Sequence, residues 1–289
     1  MMSALVIGFA GSRYRFAGLN PEQEAIVRPR FESLLCREDA APDVCIDIHH
    51  TPNAAAFMRR PAGPVEYRIA VAYGDDNIAV AGIGFTAKVD RSPLGAQMQT
   101  CLSDDWFSGA FENLFRVVAS YRLFSEGALV LHSAAFTDGA RGFLFCGRSG
   151  AGKSTLCSLA DELDLEILSD ELNAIIPSSG SFELLAMPFA GDFGAEPRPH
   201  PPYPLTGLLG LSQSAAPSLS VCSKAEAVSR IVASCPFINS DPLLVDGLTS
   251  RVAQLVAAVP VRILSFSKDP RFWSVLDHEY RSATATVSP

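Results

Sequence analysis

Hydrophobic and polar positions along this chain follow two different rhythms. In the first 125 residues, ALVIGFAG (4–11), SRYRFAG (12–18), VCIDIHH (44–50), VEYRIAVAY (65–73) and NIAVAGIGFTAKV (77–89) alternate or run apolar, which predicts strands. GDD at 74–76 supplies a hairpin turn between the last two. NPEQEAIVRPRFESLL (20–35) reads as a helix: Asn20 can cap it, Pro21 suits its first position, Glu22 and Glu24 favour its first turn, and Pro29 shortens or kinks it. SDDWFSGAFENLFRVVASYRLFSEG (103–127) reads as a longer helix, opened by Ser103 and two Asp and stopped by Gly127. Phe107, Phe111, Leu114, Phe115, Val118 and Arg122 mark one face of it. An aromatic stripe of this kind is core material, and the helix is expected to bridge the two halves of the chain.

From 128 onward strands alternate with helices. ALVLHSAAF, a TDGAR turn and GFLFCG predict a hairpin, and KSTLCSLADEL a helix. LEILSDE is a strand, and LNAIIP and FELLAM flank SSGS as a second hairpin. GLLGLSQS and VRILSFS are further strands, while AEAVSRIVAS, PLLVDGLTSRVAQLVAAV and PRFWSVLDHEYRS are helices. This succession predicts an α/β fold, with residues 126–289 as its larger domain and residues 1–125 as a smaller α+β domain suited to substrate recognition.

Composition narrows the picture. Of 289 residues 48% are hydrophobic and 19% charged, enough for a packed core. The net charge of −8 and the lack of a long basic run argue against nucleic acid, and Arg59-Arg60 reads as a solvated loop. No apolar run reaches a membrane span, and no basic residue precedes ALVIGFAGS, which reads as a first strand rather than a signal. The seven cysteines form no C-x-x-C pair and have no zinc spacing; together with a nucleotide-using loop they fit the cytoplasm. His49-His50 could bind metal, but adjacent histidines at a strand end are more often surface residues.

The chemistry concentrates at GRSGAGKST, residues 147–155. Gly147, Gly150, Gly152, Lys153 and Ser154 fit G-x-x-x-x-G-K-[ST], between a strand and a helix as a phosphate-binding loop requires. Glycines let successive N–H groups, those of Arg148, Ser149 and Ala151 included, turn toward one anion, and the following helix adds its positive end. Lys153 can reach the β- and γ-phosphates of ATP or another nucleoside triphosphate, Ser154 can ligate Mg²⁺, and Thr155 can bond the α-phosphate. Asp170 lies 170 − 153 = 17 residues beyond the lysine, after one helix and one strand. That strand is expected to pair beside the loop strand, so that Asp170 or Glu171 holds Mg²⁺ or accepts a hydroxyl proton. The hairpin about TDGAR should bring His132 to the start of the loop. On spacing alone, His132 reads equally well as a satisfied core residue.

Taken together, LHSAAFTDGARGFLFCGRSGAGKSTLCSLADELDLEILSDE resembles the catalytic core of the HPr kinase/phosphorylase family, and still more the HPr-kinase-related proteins of bacterial biosynthetic clusters. Some of those relatives phosphorylate a serine of a ribosomally made precursor peptide, lasso peptides among them. MPFAGDFG and PLTGLLGLSQS extend the resemblance, which covers roughly 126–289. It implies a phosphoenolpyruvate-carboxykinase-like P-loop domain with a mixed sheet, Lys153 on phosphate, Ser154 on Mg²⁺, Asp170 as base and His132 as an active-site partner. It implies ATP and Mg²⁺ as cofactors and a serine-bearing peptide or small protein as partner; a homo-oligomer stays open. The family's two aspartates are Asp170-Glu171 here, which leaves open which acid is base and which assists the metal. Its Glu-x-Arg-Gly-Leu-Gly stretch, tied to dephosphorylation, is missing, so phosphorylase activity is not expected. The proline-rich PFAGDFGAEPRPHPPYPL (188–205) takes its place as a lid or substrate wall, with Asp192 a candidate for metal and Arg198 for the transferring phosphoryl group. Alternative readings are a small-molecule kinase and a catalytically weak nucleotide-binding assembly protein; the signature of transporter ATPases is absent.

Overall fold

The description rests on a computed structural model, which describes residues 3–60, 69–189, 191, 193 and 199–285. The chain divides into two compact units, and along the sequence the division falls between Arg122 and Leu123. The sequence reading drew its boundary after residue 125. Both units are mixed α/β structures, each with its own mixed sheet.

In the first unit, β1 (Ser3–Phe9) and β2 (Ser12–Leu19) form a hairpin, followed by α1 (Pro21–Arg30). The Asn20 side chain accepts from the Gln23 N–H at 2.8 Å while the Gln23 side chain accepts from the Asn20 N–H at 3.0 Å, a reciprocal cap. Pro29 lies in the last turn, where α1 gives way to a 3₁₀ turn at Glu32–Leu34. Then come β3 (Val44–His50), β4 (Ala70–Tyr73), β5 (Asn77–Gly82), β6 (Phe85–Arg91), β7 (Leu94–Thr100) and α2 (Trp106–Ser125). The sheet order is β1-β2-β3-β7-β6-β5-β4, with β3 parallel to both neighbours. The aromatic stripe of α2 is core: Phe111 packs on Phe16 at 4.4 Å between ring centroids, and Phe115 on Tyr14 at 5.0 Å.

Two expectations need correction here. Residues 77–89 are two strands, because Ile83-Gly84 makes a tight hairpin; Gly84 has φ +71°, and a Cβ there would meet the Leu102 side chain at 2.4 Å. And β7, unread in the sequence, carries a period-2 pattern (Ala96, Met98 and Thr100 buried) masked by its small and polar residues. Of the strand expected at 65–73, residues 65–68 lie outside the described residues.

The second unit holds β8 (Leu129–Thr137), β9 (Gly142–Cys146), α3 (Lys153–Asp161), β10 (Glu166–Ser169), β11 (Leu172–Ser178), β12 (Ser181–Ala186) and β13 (Tyr203–Gln213). It continues with β14 (Ser218–Val221), α4 (Lys224–Ser234), α5 (Val245–Ala258), β15 (Val261–Phe266) and α6 (Phe272–Ala285). Strand β9 lies between β8, antiparallel, and β13, parallel. The pairings β8–β11–β12–β13–β9–β8 close into a ring. Strand β10 pairs with β8 rather than with β9, which corrects the expectation that the Asp170 strand adjoins the loop strand. The apolar β8 satisfies its backbone on both sides by sitting between them.

Alternate residues of β9 serve opposite faces. Phe143 and Phe145 join a buried cluster with Phe136 of β8, Leu156 of α3 and Phe272 and Leu276 of α6. Phe136 and Phe145 stack at 4.8 Å. Arg141 closes the β8–β9 turn by pairing with Asp138 and with Asp277 of α6 at 2.6 Å each. Burial works against ionisation of Asp138, but the Arg141 backbone N–H and guanidinium outweigh it and hold the carboxyl below its usual range. No helix among the described residues is long and apolar enough to cross a membrane. Phe136→Ala should destabilise this unit by about 3–5 kcal/mol, seen as an earlier urea midpoint of its unfolding transition. An unchanged midpoint would contradict the packing.

Candidate phosphate-binding site

The loop 147–152 joins the end of β9 to the start of α3. Two of its glycines take conformations that side chains rarely adopt, Gly150 with φ +77° and Gly152 with φ +100°. A Cβ on Gly152 would also press the Phe266 ring at 2.9 Å. Lys153 is buried and its Nζ donates to the Gly147 carbonyl at 3.1 Å, so the ammonium is folded back over the loop. Gln213, at the end of β13, donates to the Gly150 carbonyl at 3.1 Å and braces the loop from outside.

Asp170 stands at the junction of β10 and β11, beside α3 rather than at the edge of the loop strand. Its Oδ2 accepts from the Ser154 hydroxyl at 2.8 Å and from the Phe193 backbone N–H at 3.0 Å. Its Oδ1 is buried and has no hydrogen-bond partner among the described residues. Gly191 covers that oxygen: a Cβ there would lie 2.2 Å from it. Gly191 and Phe193, both within the segment 188–205, thus lie against the acid, whereas Asp192 and Arg198 themselves lie outside the described residues.

The two acids point to different partners. Glu171 Oε2 lies 3.6 Å from His132 Nε2, an ion pair when the imidazole is protonated. His132 is the one residue of β8 that is not buried. The β8–β9 register sets Ser133 opposite Cys146, so His132 comes to the start of the loop as the hairpin reading expected. A cavity of about 570 Å³ is lined by His132, Gly147, Arg148 and Ser149 together with Glu226, Ser229 and Arg230 of α4. A second, of about 270 Å³, adjoins Ala151, Gly152 and Thr155 and is walled by Gln213, Phe266 and Lys268.

Sequence reasoning missed Asn173. It is fully buried, and its amide donates to the Ser133 carbonyl at 2.9 Å, the Ser133 hydroxyl at 3.1 Å and the Ser169 carbonyl at 3.3 Å. Ser133 follows His132 and Ser169 precedes Asp170, so one amide ties the two strands that carry the site. The signal was an Asn in the apolar run LNAIIP. Missed too were Gly191, Phe193 and the α4 side chains, which reach the site only through tertiary structure.

Mg²⁺ was expected on Ser154 with Asp170 or Glu171. Among the described residues no three His, Cys, Asp or Glu side chains gather as a metal cage, His49 and His50 included. The Ser154 hydroxyl and the Asp170 Oδ2 that it donates to, 2.8 Å apart, are the groups that would hold a hard cation keeping most of its waters. Neither the protein-family models nor the curated proteins compared with the chain match it.

Asn173→Leu, near in size, leaves buried carbonyl and hydroxyl groups without a donor. It should cost about 1–3 kcal/mol, read as a lower urea midpoint. Wild-type stability in that variant would show that the amide is not the tie described.

Proposed function

We propose that this chain is an ATP- and Mg²⁺-dependent phosphotransferase that moves the γ-phosphoryl group to a serine hydroxyl of a peptide or small protein. A ribosomally made precursor peptide is the acceptor that the resemblance favours. The fold then belongs to the phosphoenolpyruvate-carboxykinase-like variety of P-loop domain, and the mixed sheet with an antiparallel strand beside β9 supports that assignment.

The observation that carries the reading is the Asp170 carboxylate. One oxygen is fixed by Ser154 and Phe193 while the other is buried and unpaired, directly beside a loop of phosphate-binding sequence. Most buried side-chain oxygens in proteins are paired. An unpaired one is set to accept a proton. In this mechanism the loop N–H groups hold the phosphates, and Lys153 exchanges the Gly147 carbonyl for them. The acceptor hydroxyl loses its proton to the Asp170 carboxylate, which requires the Gly191 backbone over Oδ1 to part from it, as the hydroxyl oxygen bonds to the γ-phosphorus. The bond from that phosphorus to the bridging oxygen breaks, and the nucleoside diphosphate leaves. Mg²⁺, held by Ser154 and Asp170, would supply neutralisation of the phosphate charge. The smaller cavity, with the Phe266 ring and Lys268 near Thr155, suits the base and sugar.

The test is transfer of labelled phosphate from Mg·ATP to serine peptides, read by mass spectrometry. Lys153→Ala and Asp170→Asn should each lower transfer by roughly 10²–10⁴-fold, with Asp170→Asn still binding nucleotide. Transfer within tenfold of wild type in Asp170→Asn would overturn the assignment of the base. Nucleotide binding by the wild type without transfer would favour the assembly-protein reading.

A further inference from the structure

The larger cavity has a wall that the phosphoryl-transfer chemistry does not use. It is formed by α4, whose Ser223 caps the helix by accepting from the Glu226 N–H at 3.2 Å. From this wall Glu226, Ser229, Arg230 and Ser234 face His132 and Arg148 across the cavity. Arg230 pairs with Glu226, one helical turn before it. Its Nε and Nη2 both donate to Glu226 Oε1, at 2.9 and 2.8 Å. A side chain on Gly210 would come within 3.4 Å of Arg230 Cδ and 3.6 Å of Nη1, so the arginine lies along β13 where that strand has no side chain. Gly210 pairs with Cys146, the residue before the loop. Burial pushes the Cys146 thiol up to about 12, while a Ser234 hydrogen bond and the charges of Lys153 and Arg230 pull the other way, which sets both cations near that strand end.

The cavity therefore holds two arginines against one carboxylate, in a chain of net charge −8. Its volume of about 570 Å³ suits a short segment or a small molecule rather than a flat protein surface. A guanidinium has five donors, and one carboxylate oxygen of Glu226 uses two of Arg230's, so the fork can take a second anion. The side of the loop matters too. Thr155, the residue suited to the α-phosphate, lines the smaller cavity, whereas Gly147, Arg148 and Ser149 line this one. With the phosphates on the loop, that division would set the nucleoside on the first side and leave the second to the acceptor.

We infer that the α4 cavity binds the acceptor through a carboxylate standing beside its hydroxyl, with Arg230 as the group that reads it. This rests on the phosphotransferase reading above and names its substrate class. The carboxylate can come from an acidic residue next to a serine in a peptide or from a small hydroxy acid. Glu226 orients the guanidinium and competes with the incoming anion, which sets the affinity at a moderate level.

The experiment uses the full chain with Mg²⁺ and a non-hydrolysable ATP analogue, so that binding is read without turnover. Three probes are titrated calorimetrically: a blocked Ser-Asp-Asp peptide, its Ser-Asn-Asn counterpart, and glycerate. Wild type should prefer the acidic peptide or glycerate over the neutral peptide, and which of the two binds distinguishes the sources. Arg230→Gln should weaken the acidic probe by about 10- to 100-fold, the worth of a charge-assisted hydrogen bond, with affinity for the analogue unchanged. Glu226→Gln should tighten the acidic probe. A wild type that does not prefer the acidic probes overturns the inference, as does equal weakening of acidic and neutral peptides in Arg230→Gln. Loss of analogue binding in Arg230→Gln would place Arg230 on the nucleotide and also overturn it. Failure of the wild type to bind the analogue strikes the phosphotransferase reading instead, so the two failures are distinct.

Discussion

Burying the Asp170 carboxylate is the constraint around which the second unit is arranged. A carboxylate taken out of water costs several kcal/mol unless its oxygens are paired. Two donors from distant parts of the chain, the Ser154 hydroxyl and the Phe193 N–H, converge on one oxygen. That convergence fixes where α3 begins relative to β10, and where the segment after β12 must cross. The second oxygen has no such partner, and Gly191 packs over it because only a residue without a Cβ can. The structure thus carries a local cost at one atom, and that atom is where the proposed chemistry needs a free acceptor.

The insertion of β8 between β9 and β10 makes this arrangement possible. Were β10 beside β9, Asp170 would sit one strand closer to the loop and no histidine-bearing strand would separate them. With β8 in between, His132 reaches the loop, and its neighbour Ser133 lies within reach of Asn173. The buried faces of these strands already specify their register. Asn173 adds a side-chain tie, since its fully buried amide donates to both Ser133 and Ser169. Positioning of the acid and of the histidine is therefore one problem with one solution.

How much of this could be read from residues alone varies by the range of the interaction. The glycines, lysine and serine of the loop act through local backbone geometry, so GRSGAGKST announced its place between a strand and a helix. Asn20 and Pro21 likewise announced α1. The hairpin carrying His132 followed from a TDGAR turn between two apolar runs. What could not be read was which strands become neighbours, because the β10–β8 pairing joins residues about 30 apart through an apolar pattern that any neighbour would satisfy. The tight turn at Ile83-Gly84 hid inside a continuous apolar run. It is set by the φ of Gly84 and by Leu102, eighteen residues later (102 − 84 = 18). Asp170 was found by its distance from Lys153, but its partner Phe193 was not, since a backbone N–H leaves no trace in side-chain type.

The same distinction bears on where specificity can lie. A phosphate loop recognises its ligand mainly with backbone N–H groups, which every sequence possesses, so it defines a triphosphate and nothing about the acceptor. Discrimination among acceptors needs side chains, and these must come from elements that the loop does not fix. In this unit α4 is such an element: it packs over the strands at the loop's entrance, and its inward-facing charges meet the cavity that His132 shares. Gly210, a bare position on β13, is in van der Waals reach of Arg230: a Cβ there would lie 3.4 Å from its Cδ. A larger residue at 210 would have to displace Ile263, whose Cδ1 lies 2.8 Å from the position a Cβ would take. The glycine thus has packing as well as recognition to answer for. On the proposed reading, a loop with general chemistry and a helix with particular charges divide the work, and changes along α4 would alter the acceptor without touching the machinery of transfer.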